Sequence, residues 1–472
     1  MSDADSEETP LITPDGEIQS VHDQFTPARK WVFVAVISWT GLLPLCVTGS
    51  FTPSIPQIAE DLNSTGPIVS LAVSISILAT ALGGMTWASH STVYGRRPIY
   101  LISLPIFCAG SFGVGRATSV PELFIWRFIQ AAGASSGSSV GSGVIADIYK
   151  LDQRGTAMGI FTGCTMLGPS LAPFIAGLVS NYLSWRYMQY LLGICALGAF
   201  LAVACFLPET LPSKTREWRF VNPLAPLGLL RSPNILAMSL VGTFTLLANF
   251  VLMIPLAYTI GLTYGITNEA VLGACFLPVG LGNIVGGAIA GRISDATVRA
   301  WRTKRKGEWV PEDRLRAMLV SSAVLVPLSV LGSGALTQFT SGRLGLAGNL
   351  ICLFFNGVGL TSVLTIMSAY AVDILHARSA EAVSATKYGP PFILLIFRHA
   401  HAFSMNRSFR SLIISAISTL ILPSIQSIGP LATDGMVAVL AYIGLGLLLV
   451  TIRYGDRMRA WADVGYTIGD KH

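Results

Sequence analysis

Charge is scarce in this chain: Asp, Glu, Lys and Arg make up 12% of 472 residues, against 52% hydrophobic, and the mean hydropathy is +0.62. That leaves too little polar surface to clothe a water-soluble globule of this length, so most of the outside must meet lipid. Alternation of apolar and polar residues is missing, which excludes a membrane β-barrel. The seven cysteines, Cys46, Cys108, Cys164, Cys195, Cys205, Cys275 and Cys352, lack metal-ligand spacing and read as lipid-facing or packing residues. No Walker loop, zinc motif or G-x-S-x-G elbow occurs, which argues against ATP-driven pumping and hydrolysis. No catalytic residue, metal or cofactor is therefore expected. The N-terminus has no apolar core of a signal peptide; residues 1–30 read as a disordered cytosolic tail.

What is present is twelve long apolar runs, at 31–54, 67–89, 98–115, 121–146, 156–181, 186–207, 234–262, 269–291, 315–338, 343–373, 409–431 and 433–453. A helix of about 20 residues crosses a bilayer core of ~30 Å. The fold class is thus an all-α membrane protein of twelve transmembrane helices. The basic connection 208–233 divides them into two six-helix bundles, 31–207 and 234–453, followed by a cytosolic tail, 454–472.

Lys and Arg fall in alternate connections: Arg96 and Arg97 after span two, Lys150 and Arg154 after span four, Lys214 to Arg231 after span six, and Arg299 to Arg316 after span eight. Arg378 to Arg410 and Arg453 to Arg459 continue the series, whereas the other connections hold little beyond Arg116, Arg186 and Arg343. Basic residues resist translocation, so the first set marks the cytoplasmic side and both termini lie there. The net charge of +6 gathers on that face, where it suits anionic lipid headgroups rather than nucleic acid.

A six-plus-six division suggests duplication, so equivalent places should carry the same signal. After span two the chain reads Val93-Tyr94-Gly95-Arg96-Arg97-Pro98, and after span eight Gly291-Arg292-Ile293-Ser294-Asp295. Glycine lets a helix end turn and approach its neighbour, while Arg and Asp make charge-assisted contacts, here expected between the halves. These fragments resemble the conserved loop G-x-x-x-D-R-x-G-R-R/K of the major facilitator superfamily. The first has Ala88 and Thr92 in place of the opening Gly and the Asp; the second keeps Gly291 and Asp295 but has Val298 for the later Gly. With Thr92 for the acid, a lock in the first half is expected to be weak.

Span four adds Arg127-Phe128-Ile129-Gln130-Ala131-Ala132-Gly133, similar to the R-x-x-Q-G-x-G signature of the same superfamily. Arg127 reads as the lone clear charge inside an apolar span. At mid-membrane a charge costs roughly 2.5–3.5 kcal/mol, so it should face a polar cavity or a partner; the alternative is a shallow Arg127 that snorkels to the headgroups. Span five carries Gly159, Gly163, Gly168-Pro169, Pro173 and Gly177, similar to the G-x-x-x-G-P signature of proton-driven antiporters. Small residues there permit close helix contact and Pro bends the helix. Asp147-Ile148-Tyr149, Arg154-Gly155, Trp185-Arg186, Pro208-Glu209-Thr210, Asn222-Pro223-Leu224 and Arg453 to Arg457 extend the resemblance, over 30–460, to the twelve-span drug:proton antiporters of fungi.

The resemblance implies two bundles around a central cavity, with access alternating as the halves rock. Cavity candidates are Arg127 and Gln130 of span four, Asn249 and Tyr258 of span seven, and Asn356 of span ten; a lone Asn is more often a helix–helix hydrogen bond. Few charges and several aromatics suit amphipathic organic compounds such as drugs, toxins or metabolites. Proton antiport is implied by the resemblance alone: spans one, five, seven, eight, nine and eleven show no mid-membrane acid, and Asp147, Glu209, Asp295 and Asp373 fall near cytoplasmic ends. The expected partners are a small-molecule substrate, protons and the bilayer, for a monomer in the plasma membrane. Glu7 to Ile12, of the form E-x-x-x-L-I, points instead to a vacuole or endosome.

Two competing readings are a non-transporting sensor or scaffold on the same fold, against which the short C-terminal tail counts, and an inactive product. The latter stems from Val383 to Met405, which departs from the family pattern with Pro390-Pro391, an apolar run from Phe392 to Phe397 too short to span, and Arg398-His399-Ala400-His401. That segment reads as a retained intron, the codon of Val383 beginning GT, or as a genuine insertion with a short interfacial helix.

Overall fold

Proline and glycine, rather than the ends of apolar runs, set where the helices start and stop. The computed structural model describes residues 25–149, 154–210, 232–307, 310–385 and 391–462. Residues 1–24 with Glu7 to Ile12, 463–472, Lys150, Asn222-Pro223-Leu224, most of the connection 208–233 and residues 386–390 lie outside the described residues, as do the side chains of Thr92, Asp373 and 381–407; residues 27–30 and 454–462 of the expected tails are helical and continue spans one and twelve. Among the described residues there is no strand. Span one is Pro27–Gly49, followed by a short helix Ile55–Asp61; span two is Gly66–Tyr94 and span three Arg96–Arg116. Span four is two helices, Val120–Ala134 and Ser136–Ile148; span five is also two, Arg154–Met166 and Gly168–Tyr182; span six is Trp185–Phe206. In the second half, span seven is Pro233–Met253, span eight Glu269–Ala274 with Leu277–Lys304, and span nine ends in Val326–Phe339. Spans ten, eleven and twelve are Gly342–Ala385, Pro391–Ile428 and Pro430–Ala462.

Pro27, Pro67, Pro121 and Pro233 sit in first turns, where the missing N–H has no helical partner to lose. Gly429, at φ +87°, turns the chain between spans eleven and twelve. Several helices overrun their apolar stretch toward the face that carries Arg96, Arg97 and Arg305, called here the basic face. Span eight, for example, continues to Lys304 rather than ending at 291, because Arg, Ala and Lys extend a helix as readily as Leu does. Hydropathy marks the membrane, and it does not mark the helix end.

Eleven helices among the described residues are long and apolar enough to cross a membrane. Span four is absent from that set: it breaks at Ser135, and the stretch around it is Ser and Gly. Its hydroxyls bond back to the helix, Ser135 to the Ala132 carbonyl at 2.7 Å and Ser139 to that of Ser135 at 3.0 Å, so no water is needed to satisfy them. A Cβ on Gly133 would lie 2.5 Å from the Phe107 amide of span three, and one on Gly137 would strike the Thr40 carbonyl of span one. Span four is thus polar in composition and wedged centrally between spans one and three.

Across the middle of the molecule, span two packs along span eleven and span five against span eight. The second helix of each half meets the fifth of the other, which is the pairing an internal two-fold produces. One apolar core is shared by both halves on the face opposite the basic one: Phe51, Ile55 and Ile58 pack with Leu252, Ile254 and Leu256. Toward the basic face the halves keep separate cores, one around Ile99, Tyr100 and Val144, the other around Leu315, Ile366 and Tyr370.

Candidate functional site

Arg127 is fully buried, at 0% exposure, and does not snorkel. Its Nη1 donates to Gln130 Oε1 at 2.8 Å and its Nη2 to the Val47 carbonyl at 3.2 Å. The guanidinium also lies 4.4 Å from the centroid of the Phe51 ring, a contact favoured by desolvation. Gln130 Nε2 passes the network on to Ser111 Oγ and Gln189 Oε1, both at 3.0 Å. This hub ties spans one, three, four and six of the N-terminal half together, while Arg127 Nε has no partner.

On the basic face, Gly95 at φ +97° makes the turn between spans two and three, and a Cβ there would lie 2.5 Å from the Glu209 carboxylate. Glu209 accepts from the backbone N–H of Arg96 at 2.9 Å and of Arg97 at 3.2 Å. It therefore caps the first turn of span three, where free N–H groups and the helix dipole favour an anion. The buried Arg96 side chain meets Asp147 at 3.0 Å and Ser91 Oγ at 2.8 Å; Thr210 Oγ1 donates to Asp147 at 3.2 Å and Arg97 to the Ala204 carbonyl at 2.8 Å. Asp147 and Glu209 thus supply the acids that Thr92 does not, and the cluster is not weak as the sequence suggested. These contacts run within the N-terminal half, where contacts between halves were expected. The second copy is likewise internal: Arg314 meets Asp295 at 3.3 Å and Ser294 Oγ at 3.0 Å. Gly291 lies inside an unbroken helix with nothing within 4 Å of an added Cβ, so the turn expected at both copies exists at Gly95 and not at Gly291.

Span five breaks after Met166, and Pro169 sits in the first turn of its second helix. A Cβ on Gly168 would lie 2.7 Å from Leu45 Cβ of span one, whereas one on Gly163 meets nothing within 4 Å; of these two, close approach is found at Gly168 alone. Asn249 donates to Asn356 at 3.1 Å, and Asn356 to Ser329 Oγ at 3.1 Å. That chain ties spans seven, ten and nine as a helix–helix hydrogen bond. Tyr258 stands apart from both networks, on the joint between the halves, with its hydroxyl over Gly66 of span two.

Two features escape sequence reasoning. A small cavity between spans two, four and eleven, toward the basic face, is lined by Thr80, Ser135, Ser138, Ser139, Ser408 and Ser411; hydroxyl residues on three separate stretches give no local signal. Asp434 of span twelve is buried at 4% exposure against Gly334 of span nine. Arg127 is therefore not the lone charge within an apolar run; Asp434 stands so near the start of its run that it passes for a span-end residue.

A profile of the Major Facilitator Superfamily matches residues 32–389. Over 182 residues the chain is 35% identical to the MFS antiporter QDR3 of Candida albicans, a match that spans 39% of this chain and only 26% of that protein. It is 26% identical over 409 residues to the efflux pump radE of Floropilus chiversii, covering 80% of this chain and 75% of the pump. Among solved structures, the human organic anion transporter MFSD10 matches with a TM-score of 0.60 at 17% identity, over 90% of this chain and 100% of that one, a likeness of fold.

Proposed function

The chain belongs to the Major Facilitator Superfamily, and on that premise we propose that it exports amphipathic organic compounds by alternating access, in exchange for protons. It is a multi-pass membrane protein of a transporter family, so what must be explained is a cycle of conformations rather than a covalent reaction. The observation that carries the reading is the division of the core. On the opposite face the halves share one apolar core, and toward the basic face each half has its own. The halves can part on the basic face without unpacking either, and the cavity lined by hydroxyl residues lies on that side.

Rocking then needs each half to move as a unit. The Arg127–Gln130 hub ties four spans of the N-terminal half, and Asn249, Asn356 and Ser329 tie three spans of the C-terminal half. Both networks serve as internal braces whose groups stay paired while the joint between the halves changes. Exchange is supported by the relative QDR3, named an antiporter, and protons as the exchanged ion by the likeness of span five to proton-driven antiporters. Export is supported by radE, an efflux pump. We place the protein in the plasma membrane as a monomer, with both termini in the cytosol.

The test is reconstitution of the full chain in liposomes that hold a pH dye, under an imposed proton gradient, with a panel of amphipathic compounds. Compound-dependent proton movement is expected. Compound movement without proton flux would remove the coupling, and neither movement would remove transport in favour of a sensor or inactive product.

A further inference from the structure

Beside the shared apolar core, spans five and eight meet backbone to backbone on the opposite face. A Cβ on Gly273 of span eight would lie 2.6 Å from the Pro173 carbonyl and 3.2 Å from the Gly177 Cα of span five, and one on Gly177 would strike the Glu269 carbonyl. This approach carries an ionisable side chain into the joint. Glu269 opens the helix Glu269–Ala274 behind its N-cap Asn268, whose Oδ1 accepts from the N–H of Ala270 at 2.8 Å and of Val271 at 3.2 Å. The Glu269 side chain lies beside Ser180 of the N-terminal half, and its Oε2 is buried without any partner. Ser180 in turn shares a 2.6 Å hydrogen bond with Ser54, and its carbonyl accepts from Gln57 Nε2 at 3.2 Å, so the receiving wall is fixed.

The charged groups that face Glu269 are few. Asp61 acts on it through space. Arg186 is already committed to Asp61, which also accepts from Trp185 Nε1 at 2.9 Å. Glu60 and Tyr182, on the adjoining helices, are exposed to the surroundings.

We propose that Glu269 is a proton-binding site that ties closure of this face to protonation. The proposal deepens the alternating-access reading above and rests on it. In the closed joint an ionised Glu269 would hold a buried oxygen without a donor, which costs free energy. A proton taken up from bulk water by the Glu269 carboxylate removes the charge from the joint. When the halves part, water reaches both oxygens and the capped first turn again favours the anion. The closed joint then binds one proton more than the open one. Acid in the compartment bathing this face favours closure, and closure is lost as pH rises, with a limiting slope of about tenfold per pH unit. In an exporter this sets the order of events: a proton arriving after compound release closes the face and starts the return. Asp434 cannot do this, because it is enclosed between spans nine and twelve of one half, and rocking leaves its surroundings unchanged.

The experiment uses the full chain in nanodiscs, its seven cysteines replaced, with spin labels at Tyr182→Cys and Thr267→Cys, two exposed positions on either side of the joint. The label separation is read by double electron–electron resonance between about pH 4 and pH 8, the range in which a perturbed carboxyl titrates. The short-distance population should fall with rising pH in the parent, stay high and flat in Glu269→Gln, and titrate with a displaced midpoint in Glu269→Asp. A flat parent, a pH response that survives Glu269→Gln, or a Glu269→Asp titration identical to the parent would each overturn the proposal. The parent and Glu269→Asp arms decide it even where Glu269→Gln does not fold. Because the readout is a distance, loss of the export reading looks different: the joint titrates while the liposome assay shows compound movement without proton flux.

Discussion

Replacing Arg127 with alanine would take its donor from the Gln130 oxygen, while the Val47 carbonyl would keep only the Ser50 hydroxyl at 3.2 Å as a side-chain donor. Each buried acceptor left unpaired costs about 1–3 kcal/mol, enough to loosen the brace of the N-terminal half. Arg127→Ala should lower vesicle transport roughly tenfold or more with surface expression near that of the parent. Arg127→Lys should restore part of it, since an ammonium cannot hold two acceptors in a planar fork and cover the Phe51 ring. Unchanged efflux in Arg127→Ala would remove the residue from the transport cycle. Its pairing with Gln130 was legible in the sequence, because residues three apart share a helix face. Gln189 and Ser111 were not, lying 59 and 19 positions from Gln130; nor were Asp147 and Glu209, which lie 51 and 113 positions from Arg96. Partners that far apart meet only through the fold.

At the scale of an element, the antiporter-like signature of span five separates into positions with and without steric meaning. Gly168→Val drives its first carbon against Leu45 Cβ, which cannot swing away, and overpacking of this kind costs about 1–3 kcal/mol. Gly163→Val meets open space. Thermal unfolding in detergent should fall for Gly168→Val and hold for Gly163→Val; equal values would deny span five its close contact with span one. Helix number and order were readable from apolar runs, whereas the breaks at Ser135 and Leu167 and the overrun of span eight were not. Serine and glycine support many local geometries, and the neighbours that select one of them are distant in sequence.

Spans ten and eleven extend farthest. Their 44 and 38 residues amount to ~66 Å and ~57 Å of helix, against a hydrocarbon core of ~30 Å, so both project beyond the basic face. The described parts of the segment from Val383 to Met405, 383–385 and 391–405, fall in this projection, and the part from Pro391 is continuous with span eleven rather than a separate interfacial helix. Removing it changes loop-closure entropy by only on the order of 1 kcal/mol. Deletion of Val383 to Met405 should therefore preserve membrane insertion and raise efflux in reconstituted vesicles. A deletion that abolishes activity present in the full chain would instead show that the projection takes part in transport.

For the whole molecule, the six-plus-six division follows from the basic connection between spans six and seven, but nothing in the sequence says which face the halves close. That is decided by the shared core of Phe51, Ile55 and Ile58 with Leu252, Ile254 and Leu256, which come from two stretches about 200 residues apart with no common motif. The same core has a thermal consequence. Opening that face hydrates apolar surface, and hydrating apolar surface raises heat capacity. The opening step should therefore be non-Arrhenius, and the population open on that face should grow on cooling as the apolar seal weakens. Exchange rates followed from about 5 to 40 °C should give a curved Eyring plot, and a straight one would place the slow step away from this seal. A transporter closed by oil rather than by ion pairs is one whose resting balance shifts with the temperature of the cell.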